Sequence, residues 1–132
     1  MIIRKVLELK FIFSILSISD ALFIIYLSLN KFDFVRRPYI SGNSFSFEAI
    51  GHIIFYLSLS TIFFLAFKID WNFKFPKFYS TSISLVLGIS LEIIQGTLIP
   101  YRSFEGVDLL ANLIGITIFF IFSKRFSFFV NK

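Results

Sequence analysis

Cysteine is absent from the 132-residue chain, which excludes disulfides, thiolate metal sites and cysteine nucleophiles together. Histidine occurs once, at His52, so no paired-histidine motif such as H-E-x-x-H exists here. Charge is scarce: 16% of the residues are Asp, Glu, Lys or Arg, against about a quarter in a soluble domain. A surface of that composition is not made for water. Internal repeats and low-complexity linkers are also missing, and the chain reads as one domain spanning residues 1–132.

What is abundant is apolar. Hydrophobic residues make up 57% and aromatic residues 20%, and the mean hydropathy is +0.85. They gather in four runs, at about residues 11–29, 49–69, 79–99 and 107–123. Each approaches the ~17–25 residues a helix needs to cross ~30 Å of hydrocarbon. The runs are apolar on both faces, so the alternation of a transmembrane barrel is lacking. Helices satisfy their own backbone in lipid, and the expected fold is all-α, an integral membrane four-helix bundle. The first run follows Arg4, Lys5 and Lys10, as in a secretory signal. It exceeds the ~7–15 residues of a signal core and no A-x-A-like site follows, so it reads as a retained span.

Lys and Arg set the expected orientation. Arg4, Lys5, Lys10, Lys68, Lys74, Lys77, Lys124, Arg125 and Lys132 fall on one side, and Lys31, Arg36, Arg37 and Arg102 on the other. Both termini are therefore expected in the cytoplasm, with the loops at 30–48 and 100–106 outside. The net charge of +5 sits in short clusters flanking spans rather than in a basic stripe, so nucleic acid is not an expected partner.

In this topology the polar residues inside the spans meet. His52 lies near the outer start of the second span. Glu92 and Gln95 lie in the outer half of the third, with Glu92 ~10 Å below its end. Asp108 and Asn112 open the fourth, and Arg102 is in the loop between. Glu92 with Gln95 (i,i+3) and Asp108 with Asn112 (i,i+4) each share a helix face. Both faces are expected inward, since ionisable groups in lipid are expensive and functional by default.

The strings Leu-Glu92-Ile-Ile-Gln95, Pro100-Tyr-Arg102-Ser and Asp108-Leu-Leu-Ala-Asn112-Leu-Ile-Gly115 resemble the VanZ-like membrane proteins, whose pattern runs E-x-x-Q, R, D-x-x-x-N-x-x-G. The family's upstream D-K-x-x-H element reads Glu48-Ala-Ile-Gly-His52 here, with Glu for Asp and no Lys. The resemblance covers about residues 48–120. It implies a multi-pass protein of the bacterial cell (inner) membrane, connected with the cell envelope and with teicoplanin resistance. It names fold and setting rather than chemistry.

On this reading Arg102 contacts an anion bidentately. Asp108, Gln95 and Asn112 complete the ligand-binding set, and His52 and Glu92 are the candidate catalytic acid–base pair. The expected partner is a membrane lipid or lipid-linked envelope precursor. One His and two carboxylates suit a divalent metal, but no paired-ligand spacing is present, and no metal or cofactor is expected. Each residue has a plainer role: Glu92 as half of an ion pair, Arg102 at ordinary head groups, Asp108 facing the helix dipole. Gln95 and Asn112 read as interhelical hydrogen bonders, and Gly88, Gly96 and Gly115 as close-packing positions. Asp20 stands alone, well inside the first span and expected to face the bundle, where it either joins the pocket from below or pairs with a Ser or Tyr. Three functions follow: a pocket for an anionic envelope molecule, an intramembrane transferase or hydrolase on a lipid phosphate or ester, and a non-catalytic scaffold.

Overall fold

The computed structural model describes residues 11–30, 47–100 and 104–130. Four helices account for nearly all of them, and there is no strand among the described residues: α1 (Ile12–Leu29), α2 (Phe47–Leu65), α3 (Pro76–Leu98) and α4 (Gly106–Val130). At 1.5 Å per residue they run about 27 to 37 Å, and all four are long and apolar enough to cross a membrane.

The apolar runs became helices with boundaries shifted by what punctuates them. Pro76, expected in the second loop, instead starts α3 at its first turn, where a missing N–H is harmless and its fixed φ is already helical. The last helix continues to Val130, past the expected end near 123, because Ser-Lys-Arg-Phe-Ser contains neither Gly nor Pro to stop it. At its other end α2 widens into a π-turn over Ala66–Asp70, with Trp71 N–H donating to the Ala66 carbonyl at 3.1 Å.

Packing is inside-out relative to a soluble bundle. Ser17, Ser28, Ser60, Ser80, Ser84 and Ser123 are buried, while Ile15, Phe78, Val86 and Leu98 are 62–73% exposed. So broad an apolar exterior does not belong to a soluble monomer. Small side chains inside let backbones approach, as helices do in lipid. A small core of Ile24, Tyr56, Leu59, Leu91 and Ile116 fills the centre. Helix α2 is the hub, touching α1, α3 and, most extensively, α4. Gly115 permits that last approach: a Cβ there would collide with the Ile53 carbonyl oxygen and lie 3.0 Å from the Leu57 nitrogen.

Among the described residues the two ends of the bundle differ in basic side chains. Lys68 lies in the π-turn, Lys74 in the loop after it and Lys77 in the first turn of α3, where it stacks over Phe120 of α4 at 3.4 Å. With Lys124 and Arg125, these are all the Lys and Arg of the described residues. At the same end Asp70 caps α1 from another helix. Its Oδ2 accepts the Ser14 backbone N–H at 2.7 Å and the Ser14 hydroxyl at 2.8 Å. Helix α1 needs this, because its own N-cap, Phe11, has a left-handed φ of 70° and offers no side-chain cap. The Trp71 indole N–H then donates to the same Ser14 hydroxyl at 2.8 Å.

Candidate functional site

At the opposite end, three helices each contribute one ionisable side chain. His52 lies in the second turn of α2, Glu92 is one and a half turns from the end of α3, and Asp108 is in the first turn of α4. One donor atom from each lies within 4.8 Å of the others. Glu92 is 2% exposed and Asp108 5%, while the His52 side chain keeps 13% of its surface. His52 is the least buried of the three.

Hydrogen bonds fix the imidazole. His52 Nδ1 is 2.8 Å from Asn112 Oδ1, one turn along α4 from Asp108. With the Asn112 carbonyl oxygen as acceptor, Nδ1 is the donor and Nε2 is turned to the acids. Nε2 stands 3.7 Å from Asp108 Oδ2, longer than a hydrogen bond. The Tyr56 ring lies parallel to the imidazole, 6.5 Å away at 7°, and is buried. Gly88, one turn before Glu92, leaves room for both: a Cβ there would be 3.0 Å from the Tyr56 ring and 3.4 Å from Asn112 Nδ2.

Glu92 receives the Glu105 backbone N–H on its carboxylate, while its Oε2 is buried with no hydrogen-bond partner among the described residues. Leaving a buried acceptor unmade costs about 1–3 kcal/mol, more when it is charged. The Ser60, Thr81 and Ser84 hydroxyls are likewise buried without a partner, and Glu92 is the one ionisable side chain among these four.

Of the residues singled out in the sequence, His52, Glu92, Asp108 and Asn112 therefore converge. Gln95 shares the buried face of Glu92, and its amide Nε2 donates to the Ser28 carbonyl at 2.8 Å, tying α3 to the end of α1. Asp20 is half-buried and accepts the Ser58 hydroxyl at 3.2 Å, which is the second of its two expected placements, a Ser partner rather than the pocket. Arg102 falls outside the described residues. Sequence reasoning missed Tyr56 and gave Gly88 only a packing role; the available signal was that Tyr56 stands four residues after His52 on the same helix face. A separate groove of about 540 Å³ lies at the lysine end, lined by Lys74, Lys77, Lys124 and Phe120 among others, and takes in none of the converging residues.

Comparison of the chain with family models, with curated proteins and with solved structures gives no match. The functional reading rests on this geometry and on the motif residues themselves.

Proposed function

We propose that the chain is a VanZ-like integral membrane protein of the bacterial cell envelope, with both termini cytoplasmic and a polar pocket opening outward that binds an anionic lipid-linked or envelope molecule. The observation that carries it is the convergence of His52, Glu92 and Asp108 from three helices, with a Glu92 oxygen unpartnered, at the end opposite the lysines. The lysine end faces the cytoplasm by the distribution of positive charge, which turns the pocket outward. Arg102, six residues before Asp108, supplies the charge for a phosphate or carboxylate, and the start of α4 adds its dipole. A link to teicoplanin resistance extends the motif resemblance and is part of the same proposal.

A catalytic version is favoured by one feature. Glu92 and His52 stand together as a carboxylate with a free oxygen beside an oriented imidazole, the pairing general acid–base transfer on a lipid phosphate or ester would use. A pure scaffold has no use for the unmade bond of Glu92.

The test is native mass spectrometry of the protein in mild detergent, wild type against Arg102→Ala. A discrete phosphorylated lipid retained by wild type and lost by the variant establishes the pocket. The same bulk lipids on both, with folding intact, refute anion binding.

A further inference from the structure

We propose that His52, Glu92 and Asp108 are the ligands of a single divalent transition-metal ion of the Zn²⁺ or Mn²⁺ class.

The donor set has the right chemistry: one imidazole and two carboxylates, a mixture that serves Zn²⁺, Mn²⁺ and Fe²⁺ and is foreign to soft copper or iron–sulfur sites. It also has the right arrangement. Metal-bound histidines almost always donate their other ring N–H to an oxygen that fixes tautomer and orientation. Asn112 Oδ1 does this at 2.8 Å from Nδ1, aiming the Nε2 lone pair at the acids. Two ligands each ~2.1 Å from a tetrahedral ion stand about 3.4 Å apart. The 3.7 Å between His52 Nε2 and Asp108 Oδ2, too long for a hydrogen bond, is close to that spacing. Glu92 completes the set within 4.8 Å, a gap that rotation of a carboxylate closes.

A second, independent observation points to a ligand here. Glu92 is 2% exposed, and its Oε2 has no hydrogen-bond partner among the described residues. With one oxygen held by the Glu105 backbone N–H, the other is a buried acceptor that a cation would satisfy. A divalent ion neutralises both carboxylates, leaves the imidazole neutral, and retains at least one open position on the His52 side for water or a ligand oxygen.

The inference rests on the function proposed above in sharing its pocket and deepens it: a metal ion among these residues would attract a phosphate or carboxylate oxygen directly.

Full-length protein, purified in mild detergent through a tag free of histidine and stripped with EDTA, is titrated with ZnCl₂ and with MnCl₂. A single ion per chain is expected by calorimetry and elemental analysis, and pulsed EPR of the Mn²⁺ form should show coupling to an imidazole nitrogen. His52 is the only histidine, so that coupling has one source and needs no variant to fold. His52→Ala, Glu92→Gln and Asp108→Asn should each weaken binding at least about tenfold, while Asp20→Asn, in the bundle but bonded to Ser58, should bind as wild type. Wild type without a stoichiometric ion, Mn²⁺ without nitrogen coupling, or equal loss in Asp20→Asn overturns the proposal. A bound ion without retained anionic lipid keeps the metal site and removes the function above; retained lipid without an ion does the reverse.

Discussion

Two glycines on facing helices should respond to the same substitution with opposite signs. At Gly51, in the interior of α2, an added Cβ meets only the Phe55 ring edge at 3.8 Å. Alanine there removes backbone entropy from the unfolded chain and should stabilise by about 0.5–1 kcal/mol. At Gly115 the Cβ meets the α2 backbone itself, at the Ile53 carbonyl and at the Leu57 nitrogen 3.0 Å away. A backbone cannot rotate aside, so α2 and α4 must part by about 1 Å to restore ordinary contact. Overpacking of this kind costs about 1–3 kcal/mol. The separation also reaches the site, because His52 adjoins Ile53 and Asn112 lies one turn before Gly115. Equilibrium unfolding in detergent followed by far-ultraviolet circular dichroism measures the stabilities, and the imidazole resonances of the single histidine report the His52–Asn112 bond. Gly115→Ala as stable as wild type, or both variants shifting in one direction, would refute the account of the α2–α4 seam.

Asp70→Ala should loosen the first turn of α1 and lower stability by about 1 kcal/mol, the scale of a lost helix cap. Faster amide exchange at Ser14 and an emission shift of Trp71, the only tryptophan, would register it. Glu92→Gln should leave the protein folded with an unchanged or higher unfolding midpoint, since it keeps the volume and replaces a buried carboxyl whose Oε2 has no partner, while ligand binding or turnover disappears; a scaffold would instead show a lower midpoint. The chain has no cysteine, so single Asn72→Cys and Phe104→Cys variants report orientation. In intact cells a membrane-impermeant maleimide should label the second and spare the first until the membrane is opened, and the opposite pattern would invert the assigned topology.

Much of the fold was legible because lipid imposes a simple code. Length and hydropathy alone mark a span, so the four runs at 11–29, 49–69, 79–99 and 107–123 anticipated α1 to α4. Ends were less legible, since Pro76 reads as a loop residue until its place at the first turn of α3 is known. The pairing of Glu92 with Gln95 and of Asp108 with Asn112 on inward faces followed from helical spacing. What each inward residue bonds was not readable. Gln95 reaches the Ser28 carbonyl across 67 positions, and Asp70 caps α1 across 56. No periodicity encodes a partner that distant, because such contacts depend on how whole helices rotate against one another.

Partnership then distinguishes Glu92 from the other polar side chains that tie the helices together. Asp20, Asp70 and Gln95 are as polar as Glu92, yet each has an oxygen or nitrogen engaged by a neighbour: Ser58, Ser14 and the Ser28 carbonyl. Those contacts hold α1 against α2 and α3 along its length, and their loss should appear as stability. Glu92 is held in place by the Glu105 backbone N–H, while its second oxygen remains unmatched in a helix bundle whose exterior is hydrocarbon-like. Substituting Asp20, Asp70 and Gln95 on the one hand and Glu92 on the other thus gives two groups. The first should trade stability without touching ligand affinity, and Glu92 should trade affinity without loss of stability. That division follows from the bonds each side chain makes, whatever anion or metal the pocket holds.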